Sequence, residues 1–343
     1  MGFALPIYAD ASLEPPDAIP SVERVSPRSV RISVTDRCDM ACVYCRPSMN
    51  EGYLPAEDRL DVDQWERLVR GLMASGVRRV RITGGEPLLF RDIVEVVSRI
   101  AALGIDDLAM TTNASQLAKV AGKLRDAGLQ RLNISIDSLD SERFARMTRG
   151  GDLREVLRGI DAAAACGFDD IKTNTVVIRD ENEGEVEAIT QWAWARGITP
   201  RFLEVMGVGE GAKIFRTRLV PYGEIQDRIA HLLEPATPRV DDDRGPARYL
   251  RSRDRKHRVG FITGTSDTFC AGCDRLRVTS DGMMRACLSK NDGVDISATL
   301  GPAAPPNDLG AALDEAWAMK PDSAWRGCTE PTAADVSMRG TGG

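Results

Sequence analysis

The sequence predicts an α/β fold: an open, incomplete (β/α)6 barrel, covered on its open side by a smaller C-terminal region. Strand-like and amphipathic helix-like segments alternate six times between residues 28 and 206, which is typical of a parallel sheet with crossover helices. The predicted strands also have one apolar and one polar face, so that Val30 and Ile32 lie opposite Arg31 and Ser33. A polar face that recurs from strand to strand indicates an occupied lumen.

This recurring polar face separates the barrel from the alternative interpretation, a doubly wound sheet. Strands covered by helices on both sides are apolar throughout, whereas four of the predicted strands alternate. Six units are fewer than the eight of a closed barrel, so we expect one side to be open. The strands are predicted at 29–35, 78–83, 107–112, 131–136, 171–178 and 200–206, and the helices at 63–75, 91–103, 115–127, 153–166 and 182–196.

The composition divides the chain into three parts. Residues 1–27 contain five prolines and predict a loosely docked arm, the barrel occupies 28–206, and a loop-rich region follows at 207–343. We expect this third part to pack as a lid on the open side of the barrel. Its predicted elements are strands at 247–251 and 259–263 and helices at 222–233 and 307–319.

Charge and residue counts exclude several classes of function. The 343 residues include 45 Lys and Arg against 51 Asp and Glu, a net charge of −6, which excludes the broad basic surface of a general nucleic-acid binder. No stretch has the length of a membrane span, and we expect no secretory leader, because the first residues show neither a basic segment nor a long apolar run. Eight Cys against two His argue against Cys-His catalysis. We therefore expect a cytoplasmic protein whose grouped cysteines bind metal.

The first cysteine group directly follows the first predicted strand. Cys38, Cys42 and Cys45 have the spacing C-x3-C-x2-C, and barrel enzymes carry their chemistry at the ends of such strands. Three thiolates can hold three irons of a four-iron cluster and leave the fourth iron open for a small molecule. A structural zinc site, the alternative, would need a fourth ligand nearby, and none follows within the loop.

The cysteine loop resembles that of the radical S-adenosylmethionine (SAM) superfamily. The resemblance implies that the open iron binds the methionine part of SAM and that an electron from the cluster cleaves SAM to a 5′-deoxyadenosyl radical. It also implies that Tyr44, before the third cysteine, packs on the adenine. A second motif, Thr83-Gly84-Gly85-Glu86-Pro87, follows the second strand. Its paired glycines allow a close backbone approach to a ligand, and the resemblance implies that the loop binds the amino group of SAM.

A second cysteine group lies near the C-terminus. Cys270, Cys273 and Cys287 are spaced C-x2-C-x13-C, again three thiols without a close fourth ligand. A zinc ribbon with Cys328 or His257 as a remote partner is the alternative, but a second four-iron cluster with an open iron fits three ligands better. We assign no ligand role to Cys166 or Cys328.

The set of motifs resembles the GTP 3′,8-cyclase family, which begins molybdenum cofactor (molybdopterin) biosynthesis. The resemblance spans residues 28–343 and implies an incomplete TIM-type barrel whose C-terminal lid region carries the second iron–sulfur cluster. Its marks are RISVTDRC at 31–38, RITGGEPLL at 81–89, TTN at 111–113, NISIDSLD at 133–140, RFLEVM at 201–206, GPARY at 245–249, CAGCDRLRVTSDG at 270–282 and the terminal Gly-Gly.

The family's binding residues carry over onto matching positions of this chain. The resemblance implies SAM contacts at Tyr44, Gly85, Ser135 and Met206, an active-site arginine at Arg201, and GTP contacts at Arg31, Arg81, Thr112, Lys172, Arg275, Leu276 and Arg277. The strand pattern independently places Arg31, Arg81 and Lys172 on polar faces, where cations can balance a triphosphate. Arg201 shares its face with Leu203 and Val205, so the pattern alone does not place it in the lumen.

The glycine tail has two interpretations. A terminal Gly-Gly is commonly a frayed end, whereas in the family the tail enters the active site and is required for the radical chemistry. The resemblance therefore implies that Gly342 and Gly343 act there. Thr341 stands where the family usually has Ile, and the segment 320–337 departs from the family pattern.

The sequence thus predicts a lyase that cyclises GTP to (8S)-3′,8-cyclo-7,8-dihydroguanosine 5′-triphosphate with two [4Fe-4S] clusters and SAM. The family resemblance further implies a homodimer, an electron donor, and transfer of the product to cyclic pyranopterin monophosphate synthase. The alternative enzyme is another radical SAM protein with an auxiliary cluster, such as a peptide-modifying maturase. The alternative from another class is a zinc-binding protein without catalysis.

Overall fold

A computed structural model describes most of the chain. The described residues are 27–49, 52–235, 240–241, 245–266, 269–302, 309–321, 336 and 338–341. Most of the predicted N-terminal arm lies outside them, as do Cys328, Gly342, Gly343 and most of the divergent segment 320–337.

All six predicted barrel strands are present, with every end within two residues of the prediction. They are β1 (Ser29–Ser33), β2 (Arg79–Thr83), β3 (Asp107–Thr112), β4 (Arg131–Ser135), β5 (Asp170–Val177) and β6 (Thr199–Glu204). Each pairs in parallel with the next in chain order. Side chains from all six strands line one common cavity, whereas their apolar side chains are buried with those of the helices, so the sheet curves around a lumen with helices outside. This confirms the predicted open barrel.

The C-terminal region extends the sheet at both edges instead of only covering it. Its strands are β7 (Val240–Asp241), β8 (Arg248–Arg251), β9 (Arg258–Ile262), β10 (Arg275–Val278), β11 (Met283–Arg285) and β12 (Val294–Asp295). Strand β9 pairs in parallel with β6, and β10 pairs in parallel with β1. The strand order, β12-β11-β10-β1-β2-β3-β4-β5-β6-β9-β8-β7, leaves the sheet unclosed. The two strands predicted near 247–251 and 259–263 are β8 and β9.

The helices that alternate with the six barrel strands pack their apolar stripes against the outer face of the sheet. The described α-helices are α1 (Val62–Ala74), α2 (Ile93–Ala102), α3 (Ala121–Asp126), α4 (Ser141–Thr148), α5 (Leu153–Ala165), α6 (Val186–Trp194), α7 (Gly211–Arg218), α8 (Tyr222–Asp227), α9 (Leu309–Ala318) and α10 (Met338–Thr341). Helix α1 begins at a capping box formed by Asp61 and Gln64. Its Trp65 and Leu68 are buried with Val30 and Ile32 of β1 in one core, so the apolar faces predicted for the strands are the ones that pack.

Three predicted helices are shorter than expected. The segments 115–127 and 182–196 begin with short 3₁₀ helices, and 222–233 ends as α8 followed by a separate 3₁₀ turn. The last break has a clear cause: Leu233 forms an antiparallel bridge with Ser252, which requires extended backbone where the helix was expected to continue. The predicted helix at 307–319 is confirmed as α9. Among the described residues, no helix has the length and apolar character needed to cross a bilayer.

A glycine in α5 sets how closely this helix approaches the loop after β3. A Cβ at Gly159 would lie 2.5 Å from the carbonyl oxygen of Ala114 and 3.1 Å from Cβ of Leu117. Ala114 itself has a left-handed backbone, with φ of 63°, which costs strain in a residue with a side chain. The packing of α5 therefore holds the loop that continues β3 towards the lumen.

We expect Gly159→Ala to lower the free energy of unfolding by about 1–3 kcal/mol, because the methyl group overpacks the contact with the Ala114 carbonyl. Gly122→Ala in α3 is the matched control, since a Cβ there meets no atom within 4 Å. It is expected to leave stability unchanged or to raise it by up to about 1 kcal/mol. Urea denaturation of the three proteins measures both effects, and equal stabilities for the two variants would contradict the packing argument.

Candidate active site

One cavity, at the end of the sheet where the cysteine loop leaves β1, brings together most of the predicted site residues. Side chains and loops from both halves of the chain line it. Those predicted from the sequence are Arg31, Cys38, Cys42, Tyr44, Cys45, Arg81, Gly85, Thr112, Ser135, Arg201, Met206, Cys270, Cys273, Arg275, Arg277 and Cys287. The two cysteine groups, far apart in sequence, therefore face the same space.

Two predicted substrate contacts do not line this cavity. Leu276 is buried in the apolar core on the opposite face of β10, so only its backbone could contact a ligand. Lys172 is buried deeper along β5, where its Nζ lies 3.0 Å from Asp170 Oδ2 and 5.4 Å from the ring centre of Tyr249. Gly342 and Gly343 are outside the described residues.

The first cysteine loop is held from the neighbouring strand by the glycine motif. Gly85 N–H donates to the carbonyl of Thr35 at 2.6 Å, and Glu86 N–H donates to that of Arg37 at 2.7 Å. A Cβ at Gly85 would lie only 2.4 Å from the Arg37 oxygen. The close approach that the paired glycines allow is thus, in this structure, an approach to the backbone of the cysteine loop.

A buried arginine braces the same loop from within. Arg46 is 1% exposed, and its Nη1 donates to the carbonyls of Cys38 and Met40 at 3.3 Å each. The Tyr53 hydroxyl also donates to the Cys38 carbonyl, at 2.9 Å. These bonds fix the backbone that presents Cys38, because bonds to a charged donor are the stronger kind.

Glu86, which lines the cavity, and Asp137, which holds the cavity residue Tyr44, are buried carboxylates that were not predicted as site residues. Glu86 accepts bonds from the Thr112 hydroxyl and the Asn113 amide, both at 2.6 Å, so the predicted ligand residue Thr112 directs its hydroxyl to Glu86. Asp137 accepts from the Tyr44 hydroxyl at 2.7 Å. Burial raises the pKa of Glu86 to about 7 and that of Asp137 to about 6.

The thiols of the two groups have opposite surroundings. Burial raises the pKa of Cys38 to about 12, and it also raises the pKa of Cys42, with Asp137 adding to the effect. Burial alone would raise the pKa of Cys273 as well, but the charges of Arg275 and Lys320 outweigh it and lower that pKa to about 6.

Three arginines form a row across adjacent strands. The register pairs Arg31 of β1 with Arg277 of β10 on one side and with Arg81 of β2 on the other. Burial lowers the pKa of all three, and repulsion from neighbouring arginines lowers it further. Arg81 Nε is buried without a hydrogen-bond partner. Arg201, also buried, donates to Asn133. The lumen is therefore a strongly cationic space suited to a polyanion.

The C-terminal tail reaches this row. The carbonyl of Thr341, the last described residue, accepts a bond of 2.9 Å from Nη1 of Arg277, and Met338 of α10 lines the cavity. Thr341 is 1% exposed. The residue that departs from the family pattern is therefore itself buried beside a predicted substrate-binding arginine.

Comparisons with known proteins identify the family of the chain. Residues 32–193 match the Radical SAM superfamily and residues 198–325 match Molybdenum Cofactor Synthesis C. The "GTP 3′,8-cyclase" of Pelotomaculum thermopropionicum is 41% identical over 85% of this chain and 91% of that protein. That of Marinobacter nauticus is 44% identical over 85% of this chain and 89% of its own. The chain belongs to the GTP 3′,8-cyclase family.

Solved structures of proteins with lower sequence identity share the fold of this chain. Streptococcus suis SuiB bound to precursor peptide SuiA superimposes with a TM-score of 0.59 at 18% identity, covering 88% of this chain and 66% of that one. SuiB bound to S-adenosylmethionine gives 0.58 at 17% identity, covering 85% and 67%. At these identities the likeness concerns the fold alone.

Membership of the radical SAM superfamily implies a [4Fe-4S] cluster and SAM, and the first cysteine group fits them. Cys38, Cys42 and Cys45 are half-buried on one cavity wall. No three His, Cys, Asp or Glu side chains of the described part converge as ligands of a single metal ion. A four-iron cluster makes no such demand, because its thiolates bind different irons.

In this GTP 3′,8-cyclase family member, sequence reasoning missed Glu86, Asp137, Arg46 and Lys320 as parts of the site. Glu86 lies within the quoted glycine motif and Asp137 within NISIDSLD, so a carboxylate directly after a lumen-facing strand was the available signal. Lys320 had no such signal, since its place at the cavity depends on how the C-terminal region folds back.

We expect Glu86→Gln to change how stability depends on pH. The raised pKa of Glu86 means that the folded chain binds this proton more tightly than the unfolded chain does. This tighter proton binding stabilises the folded state fully below pH 4.5, and the stabilisation is lost as the pH rises to about 7. At about 1.4 kcal/mol per pKa unit, the loss is about 3 kcal/mol. A glutamine does not titrate, although it leaves the Asn113 N–H without its acceptor, a cost that is independent of pH.

Urea titrations of the metal-free proteins between about pH 5 and about pH 8, followed by tryptophan fluorescence, test this prediction. The free energy of unfolding of the variant should rise relative to that of the wild type as the pH rises to about 7. Above that pH the difference between the two proteins should stay constant. A difference that is constant over the whole range would contradict the assigned titration.

Proposed function

We propose that this chain converts GTP into (8S)-3′,8-cyclo-7,8-dihydroguanosine 5′-triphosphate, the first step of molybdenum cofactor biosynthesis. The family relatives carry the name of this activity. The structural observation that supports it most directly is the cavity in which two groups of three cysteines meet a row of partly buried arginines. A cluster-bound reductant and a triphosphate substrate need these two features side by side.

The cofactor side of the cavity follows from the first cysteine group. When bound there, the cluster supplies the electron for reductive cleavage of SAM. We assign the cluster to Cys38, Cys42 and Cys45, and the contacts with SAM to Gly85, Ser135, Met206 and Tyr44. Tyr44 is fixed through its hydroxyl by Asp137, so its ring has a set orientation towards the cavity. The chain's part is to orient the reactants and to exclude water.

The substrate side uses the second cysteine group and the arginines. We assign a second [4Fe-4S] cluster to Cys270, Cys273 and Cys287, with the guanine as the ligand of its open iron. Arg201 and Arg277 are buried cations, and Arg31 and Arg81 are half-buried ones, and all four can bind the triphosphate. Lys172, Arg275, Thr112 and the Leu276 backbone complete the proposed contacts. Gly342 and Gly343 extend from Thr341, which already contacts Arg277.

The remaining family properties belong to the same proposal. We infer a homodimer, an external electron donor, a cytoplasmic setting, and transfer of the product to cyclic pyranopterin monophosphate synthase. Peptide modification, the alternative activity, is supported only by the fold likeness to SuiB.

Anaerobic incubation with GTP, SAM and dithionite tests the reaction. Protein purified without oxygen is expected to contain about eight irons per chain, as two four-iron clusters require, and to form 5′-deoxyadenosine together with a cyclised GTP product. Intact clusters with neither product would contradict the proposal, and zinc without iron would favour the non-catalytic alternative.

We also expect inorganic triphosphate alone to stabilise the folded protein. A ligand that binds only the folded state raises the melting temperature, here by on the order of 2–5 °C near saturation. Arg81→Met should remove most of this shift, because Arg81 is one of the three cations in the row. Arg91→Met is the matched control, since the Arg91 side chain is 95% exposed and should not affect the shift.

Thermal melts with and without triphosphate measure this effect independently of the clusters. An unchanged shift in Arg81→Met would place the anion site outside the arginine row.

A further inference from the structure

Lys320 lies where the two arms of the second cysteine group meet. One arm runs through Cys273 into β10, which begins at Arg275, and the other leaves β11 through Ala286 to Cys287. The Lys320 Nζ donates to the carbonyl of Arg275 at 2.7 Å and to that of Ala286 at 2.9 Å. One ammonium group thus bonds to both arms, within two residues of a cysteine on each.

The side chain is held in this position from its own end of the chain. Lys320 follows α9, and its N–H donates to the carbonyl of Trp317 at 3.1 Å. Its Nζ also lies 4.7 Å from the centre of the Trp317 ring, a distance at which a cation is attracted to an aromatic face. Helix α9 is in turn packed on α1, with Leu309 against Gly71. The ammonium group is therefore held in place by the packed helix α9, which Lys320 directly follows.

The charge is buried and faces the thiols. Lys320 is 9% exposed and lines the cavity beside Cys273 and Cys287. A buried ammonium is costly unless bonds or opposite charges compensate it. The two carbonyls provide part of the compensation, and thiolates of a bound cluster would provide the rest.

We propose that Lys320 is a positioning residue for the second cluster: it fixes the spacing of the Cys273 and Cys287 arms and keeps a positive charge beside the cluster they hold. This inference rests on the proposed second cluster. Mutation of residues that contact the metal ligands without binding the metal commonly lowers metal affinity 10–100-fold, and such residues also tune the electronic properties of the metal.

The experiment isolates the second cluster in the full-length chain. In a Cys38→Ala, Cys42→Ala, Cys45→Ala background, reconstituted protein with Lys320 should hold about four irons. Adding Lys320→Met should make the cluster about tenfold more easily lost to an iron chelator. At a fixed potential it should also lower the ratio of reduced to oxidised cluster about tenfold, a shift of about 59 mV for one electron. Lys320→Arg keeps the charge and two donors and should restore most of both properties.

Two controls separate this role from general folding. In the complementary Cys270→Ala, Cys273→Ala, Cys287→Ala background, Lys320→Met should leave the first cluster unchanged. Arg67→Met removes a similar bond, from Arg67 Nη1 to the Leu300 carbonyl at 2.8 Å, but away from the cavity, and should affect neither cluster.

The outcomes are distinguishable. Equal chelator resistance and equal reduction in Lys320→Met and the reference protein would overturn the proposal, as would equal losses of both clusters. A reference protein that binds no iron in the first background would overturn the second cluster itself, and the role of Lys320 with it.

Discussion

The row formed by Arg277, Arg31 and Arg81 is the constraint on which the rest of the site depends. Parallel strands hold neighbouring backbones about 4.8 Å apart, and the register places these three residues side by side on one face. Like charges in register repel each other, the more strongly because the lumen is shielded from water. The sheet keeps them there because the opposite face of the same strands packs into the main core through Val30, Val80 and Leu276. A one-residue slip would exchange the two faces. The register that buries the apolar side chains therefore also places the arginines in the lumen.

Charged side chains and burial divide the cavity into two electrostatic regions. On the side of β10, Arg275 and Lys320 lower the pKa of Cys273, whereas on the side of β1 burial, with nearby carboxylates adding to it, raises the pKa of Cys38 and Cys42. A metal binds the thiolate and not the thiol. Metal binding at the first group therefore requires Cys38 and Cys42 to lose tightly held protons, whereas the thiol of Cys273 loses its proton more easily. Two cysteine triplets that look alike in sequence are therefore chemically different sites.

Much of this could be predicted from the sequence, for physical reasons. Alternation of apolar and polar residues predicted the six strands and placed Arg31 and Arg81 on the face that lines the lumen. This was possible because strand periodicity and burial are local properties. The pattern did not place Arg201, since Leu203 and Val205 share its face. In the structure Arg201, Leu203 and Val205 all line the cavity, so this face contains both polar and apolar side chains. Strand β10 pairs with β1, more than 200 positions away in the chain, and Lys320 bonds to the carbonyls of Arg275 and Ala286, 45 and 34 positions away. No local pattern corresponds to contacts of this kind.

The shape of the first cysteine loop is likewise determined by residues on other strands. Asp39, inside the loop, accepts bonds from Asn113 Nδ2 at 2.8 Å and from the Ser115 hydroxyl at 2.6 Å. The Asn113 N–H in turn donates to Glu86, whose own N–H bonds the loop at Arg37. The ends of β1, β2 and β3 are thus joined in a closed circuit of hydrogen bonds. Because Asp39 accepts from two donors and Glu86 from three, removing either carboxylate leaves several polar groups at the end of β3 without their acceptor. The geometry of the cysteines is therefore a property of three strand ends together, and a C-x3-C-x2-C spacing alone does not produce it.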